Sequence, residues 1–341
     1  MCYDVPVLFT KNKDMKNGKL KIFAGSTSHD LTTEIIAEII KNNNDLGLKI
    51  TDKEFFKFKC GEIMTRPLES VRGCDTFIIQ SAFGDDVHSH IWESLILVDA
   101  LKLASAGSIC LVMPHMPYTR QDRKDKPRHP ISARLLANQL ERAGVNQFVT
   151  VKLHNPTIQG FFDIPCDNIS TNSLIMDYIV EKYVRHNPDG YRLCGPDLGS
   201  TKPTRKIADR YHLSRVIYDK DRPGTNIVGE MTLIGDVEGC DVILIDDIFD
   251  TGNTIFTAKK SLMEKGAKSV ILAITHMIGS DGGLDKLADQ DFKEVIITDT
   301  IPIPKEKMFP GLKILSVAPR LADIIYRIHT GESVNGLVED F

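Results

Sequence analysis

Short runs of apolar residues recur along the chain, and each is followed by a stretch whose apolar residues return every three or four positions. The runs at 21–25, 76–81, 108–113 and 147–152 are too short for helices and too apolar for surface loops, so they read as buried strands. Between them, 31–41, 91–104 and 132–143 carry a helical period. A βαβα succession of this kind folds into a parallel sheet covered by helices. The alternation then starts again: helix-like 173–184, a strand at 192–197, helix-like 204–211, a strand at 215–218, a strand at 241–246, a helix from Thr254, and strands at 269–274 and 294–298. A second parallel α/β domain follows. Strand and helix signals lapse around 165–172, which places the domain boundary there, and residues 1–18 read as an irregular extension. A helical stretch at 320–329 comes after the last strand and can pack on either domain.

Composition narrows the functional classes. At roughly 150 residues per domain, 341 residues allow about two domains with full cores. Lys and Arg number 42 against 46 Asp and Glu, a net charge of −4, so there is no basic excess to hold nucleic acid or an anionic membrane. No apolar run approaches the roughly 18 to 20 residues of a membrane span, and the first residues lack the charged-then-apolar pattern of a secretion leader. Seven cysteines, at positions 2, 60, 74, 110, 166, 194 and 240, are scattered and never spaced as paired metal ligands. They read as reduced thiols, and the expected compartment is the cytoplasm.

Four segments can carry chemistry. In 242–254 four apolar residues end in Asp246 and Asp247, and Thr251, Gly252, Asn253 and Thr254 open a helix shortly after. Ligands of open α/β sheets lie beyond the carboxyl ends of strands, which puts both carboxylates in such a crevice. Residues 250–254 would then wrap an anion: backbone N–H groups at a helix start, two threonine hydroxyls and a glycine suit a phosphate monoester. The paired acids suit sugar hydroxyls or a magnesium ion. A polar strand end capped by Asp250 and Thr251 is the plainer reading. The second segment, 118–132, has seven charged residues, enough for a solvated loop, but it follows a buried strand. Arg120 and Gln121 would face the same crevice, where a guanidinium can stack on a base and pair with phosphate. His154, again at a strand end, reads as structural when alone and as a metal ligand if Asp197 lies across the cleft. Lys220 and Arg222 sit in a turn-rich charged loop at 219–224 that on its own would be a surface turn.

Taken together, these segments resemble the phosphoribosyl pyrophosphate synthetases, the ribose-phosphate diphosphokinases, from about residue 21 to residue 336. The motifs that carry the resemblance lie at 242–254, 118–124, 159–165, 69–73 and 331–334. The resemblance implies an α/β fold of two related type I phosphoribosyltransferase-like domains, each a mainly parallel sheet flanked by helices. An ATP-side domain would span 19–169, joined by a C-terminal helix at 320–341, and a ribose-phosphate domain would span 170–319. Mg-ATP would donate its β,γ-pyrophosphate to the anomeric hydroxyl of ribose 5-phosphate and leave as AMP. The site would be completed by a neighbouring subunit of a homo-oligomer, a dimer-based hexamer or larger form.

Residue by residue, the resemblance implies that Phe58 and Arg120 sandwich adenine, with Glu62, Gln121 and Asp125 nearby. Asp197, Gly199, Ser200 and Lys202 would form the pyrophosphate loop, with His154 and Asp197 holding Mg2+. Asp246 and Asp247 would meet ribose hydroxyls, Asp250, Thr251, Gly252, Asn253 and Thr254 would bind the 5-phosphate, and Lys220 and Arg222 would supply the catalytic cations.

Several positions depart from the family pattern. Cys60 replaces an amide or acid on the adenine side, and Lys152 replaces an acid two residues before His154. Ser200 stands where the pyrophosphate loop usually has glycine. The phosphate loop has Gly252 and Asn253 where the family has Ala or Cys followed by Gly. Such loops admit a larger acceptor, ADP-ribose, whose phosphodiester has one fewer anionic oxygen and needs an open exit. They also admit an inactive regulatory subunit, against which the retained Lys220, Arg222, His154, Asp197 and acidic pair argue. Pro156 and Asn335 replace small hydroxyl-bearing or polar residues of regulated relatives, so inhibition by ADP is expected to be weak or absent.

Overall fold

The computed structural model describes residues 18–43, 47–196, 201–220 and 231–338. The first half contains β1 (Leu20–Ala24), α1 (His29–Asn43), β2 (Lys53–Lys57), β3 (Ile63–Pro67), β4 (Asp75–Ile79), α2 (Val87–Leu103), β5 (Ser108–Met113), α3 (Ser132–Ala143), β6 (Gln147–Val151) and β7 (Cys166–Ile169). Five of these strands form a parallel sheet in the order β1-β4-β5-β6-β7. All five residues of β4 are buried, as expected of a central parallel strand covered on both faces. On α3, Ala133, Leu136, Ala137 and Leu140 form the buried stripe at helical spacing.

After α4 (Asn172–Ile179), whose last turn widens to a π-helical turn at Val180–Val184, the second half repeats the plan. It contains β8 (Tyr191–Gly195), α5 (Thr201–Tyr211), β9 (Ser214–Lys220), β10 (Met231–Ile234), β11 (Asp241–Phe249), α6 (Asn253–Glu264), β12 (Ser269–Met277), α7 (Gly283–Ala288), β13 (Glu294–Thr298) and β14 (Leu312–Leu315). The sheet order is β10-β9-β8-β11-β12-β13-β14, parallel except for the β9–β10 pair. Both halves run strand, helix, antiparallel strand pair, and then further parallel strands. The pairs differ in attachment: β9 joins its sheet through β8, whereas β2 and β3 form a separate ribbon. That ribbon is pinned by an ion pair between Lys53 Nζ and the buried Glu93 of α2, 2.9 Å apart, and Glu93 also accepts from the Ser26 amide and the Gln80 side chain.

Each sheet carries an apolar cluster on both faces. The helix α8 (Ala318–Thr330) returns to the first sheet, where Leu321, Ile324 and Ile325 join Ile35, Ile36 and Ile39 of α1 in one cluster. A short α9 (Asn335–Val338) follows. None of the described helices is long and apolar enough to cross a membrane.

One expectation needs amendment, and four strands leave no mark in the sequence. Structure does not lapse at 165–172: β7 pairs with β6 from Cys166 opposite Phe148, and α4 begins at Asn172. With only four residues, two of them Asp167 and Asn168, β7 lacks an apolar run to reveal it. The helix expected at 173–184 is present, its end wound as a π turn over Val180–Val184. The strands β2, β3, β10 and β14 show no clear period in the sequence. Of the expected N-terminal extension, residues 1–17 lie outside the described residues.

Because Leu321 is fully buried between α8 and α1, Leu321→Ala should cost about 2–5 kcal/mol in chemical denaturation and speed amide exchange in α1. Exchange that changes only in the second sheet would contradict this docking.

Candidate active site

The carboxyl edges of the two sheets meet. Ser81, just past β4, donates its hydroxyl to the Thr300 carbonyl at 2.6 Å, just past β13. At this junction β11 and β12 run on together, with Ile248 opposite His276 and Phe249 opposite Met277, so β11 carries its acids beyond the apolar run. Asp246 and Asp247 are half-buried at that end, and the Asp247 amide donates to Asp246 Oδ1 at 2.9 Å.

Residues 250–252 turn the chain into α6. Gly252 has φ of 85°, and a Cβ there would lie 2.6 Å from the Phe256 ring and 2.7 Å from Phe249. That contact explains the glycine at 252 where the family pattern places Ala or Cys. No side chain caps α6, and Asn253 and Thr254 are exposed at its start, so its first amides are open to an anion.

The first sheet reaches the same place with two loops. In the loop after β5, Arg120 donates to Asp250 Oδ2 at 2.7 Å. Burial raises the pKa of the Asp250 carboxyl, but Arg120 and Ser280 together outweigh it and the group stays below the ordinary carboxylate range. In the loop after β6, His154 Nδ1 lies 2.7 Å from Asp247 Oδ2. This hydrogen bond raises the His154 pKa above its ordinary value. Burial pushes Asp247 upward, yet His154, together with the hydrogen bond to Asp246, overcomes it and brings the carboxyl down to about 2. Both loops turn through left-handed non-glycine residues, Tyr118 at φ 64° and Lys152 at φ 45°. Such conformations persist only where the surroundings enforce them.

The other predicted residues fall into place unevenly. Gln121 accepts from the Ser132 hydroxyl at 2.7 Å and so ties the loop to α3. Asp125 is exposed and paired with Arg123. Its neighbour Asp122 is the one built into the junction, accepting from Asn155 Nδ2 at 2.7 Å. Neither Asp122 nor Asn155 was singled out in the sequence, although both adjoin residues that were. Phe58 and Glu62 stand at the exposed turn of the β2–β3 ribbon, where the Phe58 amide donates to the Glu62 carbonyl. The Phe58 ring packs edge-on against Phe56, and among the described residues no hydrogen bond or ring contact joins it to Arg120. Lys152 directs Nζ to Asn172 Oδ1 at 2.9 Å, which accounts for a cation in place of an acid. Lys202 and Lys220 lie on the α5 and β9 backbones, while Asp197, Gly199, Ser200 and Arg222 lie outside the described residues.

The described residues contain no group of three His, Cys, Asp or Glu side chains placed to hold a metal ion. The ionised Asp247 beside Asp246 does offer hard oxygen donors of the kind magnesium prefers.

Residues 20–144 match the family model for the N-terminal domain of ribose phosphate pyrophosphokinase, and residues 197–339 match a phosphoribosyl synthetase-associated domain. The chain is 41% identical over 324 residues to a ribose-phosphate pyrophosphokinase of Oceanobacillus iheyensis, covering 95% of this chain and 98% of that one. It is 41% identical over 318 residues to the ribose-phosphate pyrophosphokinase of Bacillus subtilis, covering 93% and 96%. The crystal structure of phosphoribosylpyrophosphate synthetase from Mycobacterium smegmatis superposes with a TM-score of 0.83 at 39% identity, covering 92% of this chain and 99% of that one.

The His154–Asp247 pair has a defined pH window. A raised His154 pKa means that its contribution is complete below the free value of 6.5 and is lost as pH rises through the folded value. For Asp247 the contribution is complete above 3.8 and is lost as pH falls through about 2. An NMR titration of His154 should therefore give a pKa above 6.5, and Asp247→Asn should lower it.

Proposed function

The chain belongs to the ribose-phosphate pyrophosphokinase family, and on that premise we propose that it transfers the β,γ-pyrophosphate of Mg-ATP to the anomeric hydroxyl of ribose 5-phosphate, releasing AMP. The observation that carries this reading is the Arg120–Asp250 ion pair. It brings the ATP segment of the first sheet against the phosphate loop of the second, as transfer between two phosphorylated substrates requires.

In this reading residues 250–254 and the open α6 amides receive the 5-phosphate, and Asp246 and Asp247 hold the ribose hydroxyls. Arg120 stacks on or pairs with the nucleotide, with Gln121 fixing its loop and Asp125 at the loop's outer side. Phe58 and Glu62, exposed on the ribbon, serve the adenine pocket of a neighbouring subunit in a homo-oligomer. The pyrophosphate loop comprises Asp197, Gly199, Ser200 and Lys202.

His154 and Asp197 are the residues for magnesium, which when bound neutralises phosphoryl oxygens. Displacement at the β-phosphorus builds charge on those oxygens, and Lys220 and Arg222 supply the cations that meet it. The domains divide as 19–169 with 320–341, and 170–319, and the enzyme works in the cytoplasm. The relatives' shared name favours the free sugar phosphate over ADP-ribose as acceptor, and favours a catalyst over a regulatory subunit.

Chromatography of AMP released from Mg-ATP tests the proposal with ribose 5-phosphate, with ADP-ribose and with no acceptor. AMP formation that depends on ribose 5-phosphate is the expected result; release only with ADP-ribose, or with neither acceptor, overturns it. Lys220→Ala should lower turnover by about 10²–10³-fold with little change in ATP affinity, and wild-type turnover in this variant would remove Lys220 from the mechanism.

A further inference from the structure

Beneath the site, His276 of β12 is buried where the two sheets meet. Its Nε2 lies 3.0 Å from the carbonyl of Val151, the last residue of β6, and 3.1 Å from that of Lys152, the first residue of the loop that follows. Carbonyl oxygens only accept, so Nε2 carries the ring proton. Nδ1 is then an acceptor and takes the Thr300 hydroxyl proton at 2.9 Å. The Thr275 carbonyl, which takes the Thr298 hydroxyl at 2.7 Å, lies 3.2 Å from Thr300 Oγ1, farther than Nδ1. Among the described residues only the Thr300 hydroxyl faces the unprotonated Nδ1, so the Thr300 proton goes to the ring. The Thr300 carbonyl is in turn held by Ser81 of the first sheet. The chain of donors therefore crosses between the sheets twice.

Lys152, whose carbonyl is gripped by His276, is the residue at φ 45°. The next amide, of Leu153, donates to Asn168 Oδ1 at 2.9 Å, and the following residue is His154, paired with Asp247. Asp247 itself precedes Ile248, the register partner of His276. One ring thus touches the segments that bear both members of the pair.

We infer that His276 is a positioning residue: as the Nε2–H tautomer it holds the left-handed turn at Lys152 and thereby aims His154 of the first sheet at Asp247 of the second. Burial lowers its pKa to about 4, and burial lowers that of His115, packed edge-on at 4.8 Å, to about 3, so both rings are neutral near pH 7. The kinetic consequence rests on the proposed pyrophosphoryl transfer; the geometric one does not.

The test compares His276→Leu, His276→Gln and Thr300→Val in the full chain. An error of about 1 Å in a reacting group can cost about 100-fold in rate, so the Leu variant should lose about that much kcat for AMP release with little change in KM for ATP or ribose 5-phosphate. Gln, whose side-chain amide can donate where Nε2 did, should recover most of the loss. Thr300→Val removes the hydroxyl that donates to Nδ1 and should also lower kcat. Ring 15N shifts of the wild type should show the proton on Nε2, and a crystal structure of the Leu variant should show Lys152 out of its left-handed turn and His154 parted from Asp247.

A proton on Nδ1, an unmoved His154 in the Leu variant, wild-type kcat in that variant, or equal losses for Leu and Gln would each overturn the inference. If the wild type releases no AMP with ribose 5-phosphate, the functional reading fails while the ring-proton and crystallographic results still decide the positioning role. If His276→Leu does not fold, the ring-proton measurement and Thr300→Val decide it.

Discussion

Two parallel sheets abut at their carboxyl edges, and the rest of the site follows from that meeting. A parallel strand buried on both faces can place polar groups only where it ends, and every strand of such a sheet ends on the same side. When two of these edges oppose each other, the polar residues of one sheet are the natural partners of those of the other. Ser81 and Thr300 join below, His276 reaches the Val151 and Lys152 carbonyls, and Arg120 and His154 meet Asp250 and Asp247 above. The lower contacts are buried and neutral, and the upper ones are charged and partly exposed. A dry hinge of hydrogen bonds thus supports a wet layer of ionised groups, an arrangement that fixes charges without burying them unpaired.

The repeated plan of the two halves shows how one scaffold acquires two jobs. In the second half the antiparallel pair is zipped onto its sheet through β8 and β9, and the long β11 delivers the acids. In the first half the corresponding pair is freed as a ribbon, held at its base by Lys53 and Glu93, with Phe55, Phe56 and Phe58 exposed. A ribbon docked on α2 that leaves three phenylalanines exposed on β2 and its turn is suited to meet a surface beyond its own chain.

Much of this was legible in the residues because buried strands and amphipathic helices leave strong periods. The boundaries of α3 and β13 coincide with the patterns that suggested them. Several elements at the sheet margins were not legible: β7 has Asp167 and Asn168 among its four residues, and the ribbon is held by the Lys53–Glu93 and Arg66–Glu54 ion pairs and its contact with α2 rather than marked by alternation. In the site, the acids of β11 and the arginine of the 118–124 segment were visible as strand-end residues. Asp122 and Asn155 were not, because a single hydrogen bond between two loops has no sequence period. His276 was hidden for a related reason. It sits in an apolar strand, and its role depends on two carbonyl oxygens that any residue could supply.

The departures from the family pattern acquire local explanations once the neighbours are known. Lys152 would repel a cation if its ammonium pointed at the site, but Nζ is directed to Asn172 at the start of α4, and the residue contributes its carbonyl to His276. Gly252 replaces a residue with a Cβ, and the Phe256 and Phe249 rings fill the space that Cβ would need. With φ at 85° the position also belongs to the region that favours glycine. In both cases the altered residue and its contact form a matched pair that leaves Asp247, His154 and the first amides of α6 in place. A change compensated within one or two contacts alters how a loop is built, and it gives no reason to expect a different acceptor. The His154–Asp247 pair, the Arg120–Asp250 pair and the uncapped start of α6 remain together at the edge of the second sheet, as the proposed transfer needs.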